Sequence, residues 1–262
     1  MLELSAAAAT AASLALAGAA QAQDQPPPKP VSWEFATGAD SSVGRYGAAE
    51  DTKVLYLPLT VRARTERWRV EATVPYLSVE GPGSFVGGGG PIFIPPGGAG
   101  VSRRSGLGDV VMGAGWTVSP AAVGRPSVEL FGSVKLPTAY EALGTERTDL
   151  SVAVNLNHYV SQRLWVSGGG GYEWLGDPSA YQLEDGLFGN LGLGYAPSDQ
   201  LSYGAGLNFR HRTTDALDAQ LTASPWISWR PNPSWGVTTY GYAGLNSSSP
   251  DHGIGFQLSL YR

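Results

Sequence analysis

Four arginines crowd one stretch of the chain, Arg62, Arg64, Arg67 and Arg69, with Glu71 close behind. Guanidinium groups this close repel one another unless carboxylates lie between them. If the flanking segments are strands joined by a two-residue turn at Thr65-Glu66, Arg64 faces Arg67, Arg62 faces Arg69 and Thr60 faces Glu71, all on one side. Glu34, Glu129 and Arg230 take the same inward parity on their own segments and extend the set to a charged ladder. Such a ladder can brace a wall, or it can form an anion-guiding ring at the mouth of a channel.

A second inward pair is Asp109 and Lys135, near the ends of adjacent segments, where a salt bridge can form. A third set is aromatic. Trp165, Phe188, Trp226, Tyr240 and Tyr242 share the inward face with Gly169, Gly171, Gly192, Gly194, Gly204 and Gly206. Rings beside bare glycines are either plain strand packing or a slot suited to a flat apolar solute.

Catalytic arrangements are missing from the sequence. The histidines are His158, His211 and His252. The first two take the outward parity, neither has a serine two residues on, and their strands are not neighbours, so an outer-wall phospholipase site does not assemble. Their scatter lacks metal-ligand spacing, there is no cysteine and no nucleotide motif. The expectation is a non-enzyme with no cofactor and no metal. A net charge of -5 argues against nucleic acid as a partner.

The elements that position these residues are alternating apolar and polar stretches. On the second, Leu55, Leu57, Leu59, Val61 and Ala63 oppose Tyr56, Thr60, Arg62 and Arg64; on the third, Trp68, Val70, Ala72, Val74 and Tyr76 oppose Arg67, Arg69, Glu71 and Thr73. Twelve such strands are expected, at 31–42, 52–64, 67–79, 106–118, 127–138, 147–160, 163–176, 184–196, 200–213, 217–230, 234–247 and 252–261. Connections alternate between tight and long, as periplasmic turns and extracellular loops do in an outer-membrane barrel. The turn over 119–126 is the longest on the periplasmic side. Residues 1–22 read as an export signal cleaved after Ala22, residues 23–30 as a Pro-rich periplasmic leader, and residues 31–262 as the barrel. A soluble sandwich would also alternate, but its polar face would meet water. Only 15% of residues are charged, which suits a lumen lined by Gly, Ser, Thr, Asn and Arg.

Gly106-Leu107-Gly108-Asp109 opens one strand, Val134-Lys135-Leu136-Pro137-Thr138 closes the next, and Leu143-Gly144-Thr145 follows with Asp149. This succession resembles the outer-membrane family named for the meta pathway of phenol degradation, whose members are labelled transporters. The resemblance implies an outer-membrane transporter without naming its solute. The C-terminus departs from the usual barrel ending. It reads Leu258-Ser259-Leu260-Tyr261-Arg262, with the last aromatic one place early for recognition by the assembly machinery.

The long loop from Glu80 to Arg104 carries the apolar residues Phe85, Val86, Ile92, Phe93 and Ile94. Exposed loops have little reason to hold such a cluster, so it is expected to fold over the barrel mouth as a constriction. The reading is an all-β, twelve-stranded antiparallel transmembrane barrel of the Gram-negative outer membrane. It is expected to be a monomer in contact with lipid and the barrel insertion machinery, passing a small, aromatic or hydrophobic solute passively. The alternative is a non-conducting structural or adhesive barrel.

Overall fold

The computed structural model describes residues 31–46, 50–82, 84–85, 92–93, 102–120, 123–140, 143–179 and 182–262. The expected export signal and leader lie outside these residues. Among the described residues, twelve strands build the wall: β1 Ser32–Gly44, β2 Thr52–Arg64, β3 Trp68–Gly81, β4 in two segments (Ser102–Leu107 and Val110–Ser119), β5 Ser127–Leu136 and β6 Asp149–Tyr159. They continue with β7 Leu164–Trp174, β8 Gly186–Tyr195, β9 Leu201–Arg210, β10 Gln220–Asn232, β11 Trp235–Gly244 and β12 His252–Tyr261. Each strand pairs antiparallel with the next and β12 pairs with β1, closing the barrel.

Closure leaves no edge to aggregate and no unpaired backbone facing lipid. The strand faces follow the alternation. Leu55, Leu57 and Leu59 on β2 are exposed while Val54, Tyr56 and Arg62 are buried; Leu150, Val152, Val154 and Leu156 on β6 are exposed while Asp149 and Asn157 are buried. An outer surface this apolar is a lipid-facing belt. At the end with the short turns, exposed Trp68 stacks on Trp116 with ring centroids 6.2 Å apart, and Trp229 meets Trp235 edge-on at 5.5 Å. Amphipathic rings of this kind mark a membrane interface.

The expected boundary of β4 is corrected. The strand starts at Ser102 rather than residue 106, because Gly81 of β3 pairs with Ser102. Tyr76 then faces Leu107 while Thr73 faces Val111, so β4 has one residue more than β3 in this interval. The bulge falls at Gly108-Asp109, where the Gly108 amide donates to the Pro75 carbonyl at 2.8 Å.

The β2–β3 register is also corrected. The turn runs from Thr65 to Trp68, the Thr65 amide donating to the Trp68 carbonyl (2.7 Å) and the Thr65 hydroxyl accepting from the Trp68 amide (2.9 Å). Its central residues are therefore Glu66 and Arg67. Arg62 now faces Glu71, Arg64 faces Arg69 and Thr60 faces Thr73. The shift is two residues, so every side chain keeps its face, but each cation gains a different neighbour. The described residues of the 119–126 turn add no further strand. Gly124, at φ 74°, donates its amide to the Tyr159 carbonyl at 3.1 Å and holds the turn against the end of β6.

The barrel seam is fastened at the chain's end, where Trp33 and Arg262 exchange two backbone hydrogen bonds of 2.8 Å. Leu258 and Leu260 face lipid, so Tyr261 points inward, and the Arg230 guanidinium lies 4.1 Å from its ring centroid.

Candidate functional site in the barrel lumen

The ladder at the short-turn end is one continuous chain of ion pairs. Ser259 donates to Glu34 (2.9 Å); Glu34 accepts from Arg62 (2.6 Å), which also donates to Glu71 (2.8 Å). Glu71 accepts from Arg69 (2.7 Å), and Arg69 reaches Glu129 with two bonds of 3.0 and 2.7 Å. Asn155 completes the chain by donating to Glu129 at 3.0 Å. The chain runs from β12 through β1, β2 and β3 to β5 and β6. It crosses β4 because Gly115 stands there: a Cβ at that position would lie 2.6 Å from Glu129 Oε1. Phe131 passes over Gly113 in the same way and places its ring 4.4 Å from the Arg69 guanidinium. Placing charges in such a site requires this mutual saturation.

Not every residue expected in the ladder joins it. Arg67 lies in the exposed turn, expelled by the register shift. Arg64 is half-buried beside Arg69 and makes no ion pair among the described residues, and Arg230 donates to the Pro233 carbonyl (2.8 Å) above Tyr261. The closed ladder is thus Glu34, Arg62, Arg69, Glu71 and Glu129.

The residues that carried the family resemblance meet in a second cluster at the long-loop end. Lys135 Nζ lies 2.7 Å from Asp149 Oδ2, 2.7 Å from Thr145 Oγ1 and 3.4 Å from Asp109 Oδ2. Asp109 Oδ1 accepts the amides of Thr138 and Ala139, both at 2.9 Å, and Asp149 Oδ1 accepts that of Gly176 at 2.9 Å. Gly106 leaves room for Tyr140 and Leu143, and Gly144 for the Asp109 carboxylate. Leu143 is 2% exposed and belongs to one cluster with the inward residues Val54, Leu77 and Val79. The β5–β6 loop therefore folds into the mouth of the barrel. The constriction expected from Phe85, Val86, Ile92, Phe93 and Ile94 lies largely outside the described residues; only the pairing of Ser84-Phe85 with Ile92-Phe93 is seen there.

Sequence reasoning passed over Glu173 and Arg210, which form a buried two-pronged pair of 2.7 and 2.6 Å at the same end. Their strands are separated by β8, so no neighbour pairing points to them. The usable signal is an inward acid and base at matching heights two strands apart. Above them, Arg212 donates to Glu184 at 2.7 Å, and this bond holds the Glu184 carboxyl below its ordinary range.

The aromatic wall divides in two. Phe188 covers Gly171, Trp165 covers Gly194 and Trp226 covers Gly204, so these glycines make room for their neighbours' rings. Tyr240 and Tyr242 likewise lie across Gly255 and Gly253. Trp165 and Trp226 also pack together, centroids 6.0 Å apart. Beyond them Gly192 and Gly206, paired across β8 and β9, are not covered by a ring. A small space of about 20 Å³ opens there, bordered by Ser167, Asn190, Asn208, Ser224 and the two tryptophans.

With this architecture in view, the likenesses to known proteins concern its fold. A crystal structure of an outer membrane channel from Pseudomonas putida F1 superposes with a TM-score of 0.66 over 93% of this chain and 100% of that one, at 12% identity. The translocator domain of the autotransporter NalP from Neisseria meningitidis gives 0.53 over 98% and 97% at 14% identity, and the KdgM porin 0.52 over 88% and 97% at 9%. The chain thus has the barrel architecture of outer-membrane proteins. No curated protein matches it. The family model described as "Putative MetA-pathway of phenol degradation" matches residues 37–261, which include the Lys135 cluster, the ladder beyond Glu34 and the glycine wall. The chain belongs to that family.

Proposed function

We propose that this barrel passes a small, uncharged solute with an apolar or aromatic body across the outer membrane, down its gradient and without a cofactor. The observation that carries this reading is the stretch of lumen wall over Gly192 and Gly206 that no ring covers. It joins tryptophan faces to a few amide and hydroxyl groups, the composition of a site that takes a flat, mostly apolar molecule and fixes its orientation. The Pseudomonas barrel of the same architecture is an outer membrane channel, which supports the same reading. The barrel works as a monomer in outer-membrane lipid, placed there by the general insertion machinery.

A filled lumen favours the second reading, a non-conducting structural barrel: Arg62, Arg69, Trp165, Trp226, Tyr240 and Tyr242 are all buried. Planar-bilayer recording and solute flux into vesicles decide between them. Small current steps are expected from the full chain, larger steps after deletion of Gly83 to Gly100. Gly192→Phe should bring flux of a neutral aromatic solute down to that of protein-free vesicles, with the barrel still assembled. Absence of both currents and flux in every form would establish the structural barrel.

A further inference from the structure

The inward acids Glu34, Glu71, Glu129, Glu173, Asp109 and Asp149 each stand in an ion pair with an arginine or lysine. Among the described residues Asp40 has no such partner. It lies on β1 in the long-loop half of the barrel, opposite Tyr56 on β2 and Gly255 on β12, and is 4% exposed. Its hydrogen-bond partner is a phenol: the Tyr242 hydroxyl donates to Oδ1 at 2.8 Å, and the Tyr240 hydroxyl lies over Gly255, the residue paired with Asp40. Ser42, on the same face of β1, pairs with Gly253, over which the Tyr242 hydroxyl lies; Ser42 and Tyr46 are both buried, Tyr46 only 1% exposed.

Two physical demands conflict at this position. Phenol hydroxyls donating to a carboxylate favour its ionised form, which only accepts. Burial without a counter-charge disfavours that form, and the other acids of the lumen meet the demand with a guanidinium or ammonium. Among the described residues no cationic side chain meets the charge at Asp40, which leaves that part to a proton or a cation from solution.

We propose that Asp40, with Ser42, Tyr46, Tyr240 and Tyr242, binds a monovalent cation in the extracellular half of the lumen. The donor set is entirely oxygen, as hard cations require, and a single carboxylate matches a single charge. The rings of Tyr240 and Tyr242 lie where any side chain at Gly255 or Gly253 would collide. Glycine at those positions therefore lets the two hydroxyls converge on Asp40. The site goes beyond solute passage and does not depend on it, since a cation can be held in a barrel that conducts nothing.

The test is thermal unfolding of the refolded full chain at fixed ionic strength, with potassium chloride replaced stepwise by N-methylglucamine chloride. Potassium should raise the midpoint of the native chain along a saturable curve. Asp40→Asn, an isostere of the neutral acid, should abolish this response. Tyr242→Phe keeps the carboxylate and removes one oxygen, and should raise the half-saturating potassium concentration about tenfold, the effect of losing one hydrogen-bonding group at a charge. No potassium response in the native chain would overturn the proposal and assign a proton to Asp40. So would an equal response in Asp40→Asn. If Asp40→Asn fails to assemble, an unchanged curve for Tyr242→Phe is the overturning result. Flux and conductance are read separately, so failure of solute passage leaves this outcome intact.

Discussion

Arg69 shows how much one lumen side chain holds: its guanidinium reaches Glu71 and Glu129 and lies over Phe131. Arg69→Ala removes the arginine that pairs with Glu129 and should destabilise the barrel by about 3–5 kcal/mol, the range for a buried charge left without its partner. Equilibrium unfolding in lipid vesicles measures this. Replacing Arg69 and Glu129 together by Met and Leu should cost less than Arg69→Ala alone, because no charge is then stranded. Glu184 sits in the opposite regime, in an exposed loop. Arg212 holds its carboxyl below the ordinary range, so the stabilisation of the loop is complete above the usual carboxylate pKa and disappears as pH falls through the lowered value. Hydrogen exchange of residues 182–186 and 211–215 should therefore quicken on acidification. In Glu184→Gln it should be fast at every pH.

Alternation of side chains made the strands and their faces readable from residues alone, since one face meets lipid and the other a polar lumen. Register was less readable. Thr65 and Trp68 close the β2–β3 turn through a hydroxyl and two backbone bonds, and nothing in the string Thr65-Glu66-Arg67 distinguishes that turn from one centred a residue earlier. The Gly108-Asp109 bulge was hidden for a related reason: one extra residue leaves the apolar period of each half of β4 intact. Asp109 and Lys135 were visible as a pair, and Asp149 faces Lys135 directly across β5 and β6, but Thr145 became a partner only through the path of the β5–β6 loop. That loop yields a direct prediction. Lys135→Met leaves Asp109 and Asp149 together without their cation and should release the loop, opening trypsin cleavage after Arg147 while the barrel stays heat-resistant on gels. Continued protection of Arg147 would show that Leu143 and its apolar neighbours hold the loop by themselves.

At the scale of the whole molecule, every strand pairs with its neighbour in sequence except across the seam between β1 and β12. Contacts there join residues far apart in the chain: Ser259 to Glu34 spans 225 positions and Tyr242 to Asp40 spans 202. Deleting residues 252–262 should leave β1 and β11 as open edges and abolish the heat-resistant band. The same geometry orders events in time. Hairpins within the wall close over short loops, whereas the seam must bring together ends separated by nearly the full chain. The hydrogen bonds of Asp40 and Glu34 to β11 and β12 are consequently among the last to form, and changes confined to them should alter how fast the barrel opens far more than how fast it folds.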